Sequence, residues 1–253
     1  MPRKDEPIAR LGDSSFGAVF PSTHWSVVLA ANGDATPAVN SALETLFRTY
    51  QRPLYAYIRR RGNAHHDAED LLQAFFGRIL AKDVLRSASQ ARGQFRSFLL
   101  TSLKNFLSNE FDRSNALKRG GGQLHVSFDT TAPASITLQE PACEDSPPDK
   151  LFDREWAAVI FAQALAQLEQ EFVSEGKQTQ FNALAPFLSR PPAVGEYERV
   201  AGAAGIRLGL MATAVSRLRE RFRDLVRAQV AATVSTAAEV NEELSYLVRL
   251  IAS

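Results

Sequence analysis

A chain of 253 residues has room for one large domain or two small ones joined by a linker. With 45% hydrophobic and 23% charged residues it reads as soluble and globular, and its single cysteine, Cys143, excludes an intrachain disulfide. The formal net charge of +1 excludes no class of partner, because the charges are segregated: the stretch 86–119 is mostly basic, 129–149 carries only acids, and 217–227 is mostly basic again.

Residues 1–20 are polar, hold Pro2, Pro7, Gly12 and Gly17, and show no period, so they are expected to be a loose tail. Ser22 or Thr23 caps a short expected helix to Ala31, with Trp25, Val28 and Leu29 on its apolar side. Pro37 opens the next helix, with Leu43, Leu46, Phe47 and Tyr50 at spacings of three and four; Pro53 either kinks it or restarts it before Gly62. A helix is predicted over 63–82, with Leu71, Leu72, Phe75, Phe76, Ile79 and Leu80 as its apolar face. Another is predicted over 94–116, with Phe95, Phe98, Leu99, Leu103, Phe106, Leu107 and Phe111 inward. Broad stripes and short connections make these one helical domain over 21–119.

Residues 120–149 are rich in Gly, Pro, Ser, Thr and acid and read as a flexible acidic linker. The only strand-like stretch is a short piece at 124–128. A second helical domain is expected over 150–236. Its first stripe is Phe161, Ala164, Leu165, Leu168 and Phe172, widened by Trp156, Val159 and Ile160. Phe181, Leu184 and Phe187 form a shorter stripe, and helices over 196–204 and 209–233 flank Gly205 in the manner of a helix-turn-helix. A helical extension, 237–253, closes the chain. The expected fold class is all-α, with two helical domains and no repeat.

Two segments carry chemistry. Asp67-Ala68-Glu69-Asp70-Leu71-Leu72-Gln73-Ala74-Phe75-Phe76 is an acidic helix start whose polar face is separate from its phenylalanines. Acids there complement the helix dipole, which is one reading; a docking face is the other. Ala214-Val215-Ser216-Arg217-Leu218-Arg219-Glu220-Arg221-Phe222-Arg223 is a helix studded with arginines. It reads as a solvated face or as a grip on DNA phosphates, with Arg217 and Arg221 on one side. His65-His66-Asp67 suggests a metal, but adjacent helical residues point about 100° apart and do not close on one ion. No phosphate-binding glycine loop follows from Gly120-Gly121-Gly122, which no Lys-Ser/Thr succeeds. No catalytic residue, metal or cofactor is expected. No signal peptide or membrane span is visible, the longest apolar-rich run, 157–168, being too short to cross a bilayer, and the expected location is cytoplasmic.

With these motifs the chain resembles a bacterial RNA polymerase sigma factor of the extracytoplasmic-function type, over about residues 20–230. The resemblance implies an initiation factor that is not an enzyme and whose partners are core RNA polymerase, promoter DNA and an anti-sigma or other regulatory protein. It places core-polymerase docking on Asp67, Asp70 and Gln73, with Ala74 where the family usually has an acid. Gln94-Phe95-Arg96-Ser97-Phe98-Leu99 and Leu103-Lys104-Asn105 look like the segment that melts the downstream promoter element. Arg92, Arg96, Lys104 and Asn105 are then the candidates for single-stranded DNA, which needs cations, stacking surfaces and amides. Phe98 stands where the family has tryptophan, and it fits a core position as well as a stacking one. Arg207, Thr213, Arg217, Arg219 and Arg221 are the candidates for the upstream element, although Arg207, Leu208 and Ala212 depart from the usual turn and offer few hydrogen bonds to base edges. The segments 20–26 and 238–244 look like extensions found in one lineage of longer factors. Two rival functions remain: a stand-alone helix-turn-helix regulator, and a sigma-derived interaction protein with little DNA readout.

Overall fold

The computed structural model describes residues 24, 28, 36–80, 95–120, 146–234 and 236–252. These residues are all-α, without a strand among them. The expected tail (1–20), the loop 86–93 with Arg92, and the strand-like piece at 124–128 lie outside the described residues. So do most of the short helix at 22–31 and most of the linker.

Helix α1, Pro37–Arg60, starts where Thr36 accepts a hydrogen bond from the Val39 N–H at 3.3 Å, with proline in the first turn. Pro53 neither breaks nor restarts it: it lies buried inside one continuous helix. The end is sealed by Asn63, whose amide donates to the Ile58 carbonyl at 2.9 Å. Helix α2, His65–Leu80, turns back onto α1 and lays Leu72, Phe75 and Ile79 into the core. Phe76 stacks on Phe47 at 4.5 Å. Helix α3, Phe95–Gly120, buries Phe95, Leu99, Leu103 and Phe106 at spacings of three and four. Phe111, expected inward, is 66% exposed, because α3 has by then run past the core that its first turns fill.

Helix α4, Pro148–Ser174, is the long helix after the linker, and it lies along α1. Trp156, Ile160, Ala164 and Leu168 recur every fourth residue and form its buried ridge. Leu165, expected in that stripe, is 39% exposed, since the true ridge runs through Trp156 rather than Phe161. Polar contacts pin the same pair of helices, Arg52 to Glu155 at 2.6 Å and Gln163 to the Thr49 hydroxyl at 3.2 Å, and the Arg60 guanidinium holds the Ser146 carbonyl just before α4 at 2.7 Å. Buried residues from both sides of the linker therefore belong to one continuous core.

Helix α5, Gln178–Leu184, runs into a 3-10 turn, Ala185–Leu188. Helix α6, Glu196–Ala204, ends at Gly205, whose φ of +64° is the left-handed conformation that glycine adopts without strain. There the Ile206 N–H reaches back to the Ala201 carbonyl at 3.0 Å, closing the helix end. A second 3-10 turn, Leu208–Leu210, leads into α7, Met211–Ala231. Helix α8, Ala237–Ala252, packs back on α7 and α4 through buried Val240 and Leu247.

Candidate functional site

The acidic face is built by the amphipathic alternation of α2. Ala68, Leu72, Phe75 and Ile79 face the core, which turns Asp67, Asp70, Gln73 and Ala74 outward to solvent. Asp70 is 67% exposed, and its carboxylate lies 3.8 Å from the His66 imidazole one turn earlier. His65 and Glu69 form the parallel pair at 3.6 Å. His65 also hydrogen-bonds the buried Tyr55 hydroxyl through Nδ1, which fixes the first turn of α2 on α1. Asp67, in that first turn, adds its negative charge to the end of the helix where the backbone N–H groups favour it. The three expected docking residues thus share one open, negative surface on a rigid helix.

The start of α3 is different. Arg96 was expected to be a cation facing single-stranded DNA, but the structure places it inside the protein, 14% exposed. One guanidinium nitrogen donates to Asp153 of α4 and another to Glu243 of α8, the latter at 3.2 Å. The guanidinium also lies over the rings of Trp156 at 5.0 Å and Tyr246 at 4.5 Å. Asp153 in turn accepts from the Tyr246 hydroxyl. Burial alone would disfavour the Arg96 charge, but the carboxylates of Glu243 and Asp153 outweigh it and hold its pKa above the usual value. Burial raises the pKa of Glu243, which is only 1% exposed, even with Arg96 beside it. The Tyr246 hydroxyl is pushed up to about 12 by burial and by its bond to Asp153. Phe95 is fully buried next to Tyr50, and its N–H reaches the Thr233 carbonyl at 3.4 Å. Phe98 packs half-buried beside Phe95, as a core residue does.

Lys104 and Asn105 lie further along α3, both exposed. Lys104 meets Asp149 at the start of α4, 2.9 Å away. Together they border an open cleft of about 430 Å³ lined also by Tyr57, Arg61, Leu107, Pro147 and Pro148. Arg96 faces the core and Lys104 this cleft, so the structure does not gather the two into one surface.

The second basic region also divides. Arg207, Thr213 and Arg217 are exposed around the turn and first turns of α7. Thr213 and Arg217, four apart, share one face. Arg219 instead points back into the protein, donating to the carbonyls of Phe187 and Arg190, each at 2.8 Å, and so clamps the 3-10 turn before α6. Arg221, expected to pair with Arg217, makes a two-pronged contact with Glu171 of α4 at 2.6 and 2.9 Å, and this holds the Glu171 carboxyl below its ordinary pKa. Sequence reasoning missed Asp153, Trp156, Glu243 and Tyr246 as partners of Arg96. The visible signal was two acids and a tryptophan close together at the start of an otherwise apolar helix face.

Among the described residues no group of three or more histidine, cysteine or acidic side chains is placed to hold a metal, and no helix is long and apolar enough to cross a membrane. Residues 46–116 match the family model described as Sigma-70 region 2. The match spans the described parts of α1, α2 and α3 that carry the acidic face and the start of the Arg96 cluster. It supports a sigma-70 family role in binding RNA polymerase and melting promoters. Comparison with curated proteins and with solved structures returns no match.

Proposed function

We propose that this chain is a transcription initiation factor of the extracytoplasmic-function sigma type, acting in the bacterial cytoplasm without catalysing a reaction. The observation that carries the reading is the exposed face of α2 within the matched segment, where Asp67, Asp70 and Gln73 stand together on a helix anchored by four buried side chains. That face docks on core RNA polymerase. Arg92, Lys104 and Asn105 serve the downstream promoter element, Arg96 joining them once uncovered, and Arg207, Thr213 and Arg217 face the upstream one. Arg219 and Arg221 support that surface from behind, through their contacts with the 3-10 turn and with α4. An anti-sigma or other regulatory protein is a further expected partner.

The test is co-purification with core polymerase, comparing the intact chain with Asp70→Arg. Stoichiometric binding that the substitution abolishes is the expected result. Failure of the folded intact chain to bind core would overturn the reading. One observation favours a second reading, a sigma-derived interaction protein with little DNA readout: Arg96, Arg219 and Arg221 are all engaged within the protein. That reading predicts core binding with no promoter-dependent transcript.

A further inference from the structure

We propose that α8 is an intramolecular stand-in for single-stranded DNA, and that it must leave the start of α3 before Arg96 can engage a nucleic acid. The inference rests on the initiation-factor reading and adds a control step to it. A nucleic-acid strand offers an arginine two things: anionic oxygen for its N–H groups and a flat π-face for its guanidinium plane. In this structure α8 supplies both, the Glu243 carboxylate at 3.2 Å and the Tyr246 ring at 4.5 Å. Asp153 and Trp156 of α4 complete the enclosure from the other side.

The enclosure is incompletely satisfied. Arg96 Nε and Glu243 Oε2 are buried without a hydrogen-bond partner among the described residues. A buried ion pair with loose ends is a poor source of net stability, because the desolvation of both charges offsets their attraction. What fixes α8 in place is apolar contact: Val240 and Leu247 are buried in the core, and Leu244, Tyr246 and Leu250 pack against it. The helix is therefore held by apolar contacts and carries an acidic group onto Arg96 at the start of α3. Its removal uncovers Arg96, with the Trp156 ring and the Asp153 carboxylate still beside it on α4.

The experiment uses the full chain bound to core polymerase and a fluorescein-labelled single-stranded deoxyoligonucleotide, read by anisotropy at several salt concentrations. Val240→Ser with Leu247→Ser releases α8, and limited proteolysis within α8, with helical content preserved elsewhere, verifies the release. Tyr246→Phe with Glu243→Gln keeps the packing and removes only the polar hold, which guards against misfolding of the first variant. The expected result is oligonucleotide binding tighter by about tenfold or more in the released chain. Its salt dependence should steepen by about 0.7 in log–log slope for the phosphate that Arg96 gains. Adding Arg96→Gln to the released chain should cancel both. Unchanged binding in both folded variants would overturn the proposal, and so would a gain that survives Arg96→Gln. Loss of core association by the intact chain would instead mark failure of the initiation-factor reading, before any oligonucleotide is added.

Discussion

Asp70 and Arg96 sit on consecutive helices of the same matched segment, and their circumstances are opposite. Asp70 stands on an open surface: its helix is anchored beneath it, and the His66 imidazole lies 3.8 Å from its carboxylate. Arg96 stands inside an enclosure made by helices that follow it by dozens of residues. The first face is open to solvent in this conformation. The second is already occupied by the protein itself. The comparison teaches that a charged side chain on a recognisable motif can be ready for an outside partner or spent on an inside one, and that burial decides which.

The largest effect that would sharpen the contrast is at Arg96. Arg96→Ala strands Asp153 and Glu243 as buried acids with no cation between them. The expected cost is about 3–5 kcal/mol of folding stability, by denaturant titration. Arg96→Met, which fills the space without a charge, should recover much of that loss when combined with Glu243→Gln. At Asp70 the expectation reverses. Asp70→Arg leaves folding within about 0.5 kcal/mol of wild type, as an exposed position does, and costs about 2 kcal/mol or more in core-polymerase affinity, roughly thirtyfold, by competition binding. A folding loss at Asp70, or none at Arg96, would erase the distinction between the two sites.

A smaller effect separates the cations of α7 in the same way. Arg221→Ala breaks a half-exposed pair with Glu171 and should lower stability by about 0.2–1 kcal/mol. Arg217, exposed beside Thr213, should affect stability less than Arg221 and upstream-element protection more. Equal behaviour of the two in both assays would show that the Glu171 contact does not withdraw Arg221 from DNA.

Much of the fold was legible in the sequence. Local rules suffice for α1, where Pro37 marks the start, and for α6, where Gly205 marks the end, because the signals lie within a few residues of what they control. The acidic face of α2 was legible for the same reason: exposure of Asp70 follows from the helical period and the buried stripe opposite. Leu165 and Phe111 went astray because a stripe on a long helix says which residues are apolar but not how far the neighbouring core extends. The Arg96 enclosure was not legible at all. It joins residues 96, 153, 156, 243 and 246, brought together only when α4 lies along α1 and α8 folds back. No period within any one of those helices encodes that meeting.

The smallest expected effect compares two enclosed glutamates and depends on sign rather than size. Glu196 accepts from the Arg190 guanidinium at 2.6 and 2.8 Å and from the Ala193 N–H at 2.8 Å. These bonds favour its charged form and hold its carboxyl down to about 2, from the ordinary 4.5. Its stabilising contribution is thus present above pH 4.5 and fades as pH falls toward about 2. Glu243 is shifted the other way, because burial outweighs its bond to Arg96. Its contribution is most favourable below the ordinary carboxylate pKa and declines as pH rises through its raised folded value. Melting curves of Glu196→Gln and Glu243→Gln, each subtracted from wild type across the acid range, should therefore slope in opposite directions. Parallel slopes would mean that Glu243 is ionised as easily as Glu196, and that α8 lies on Arg96 less tightly than its burial indicates.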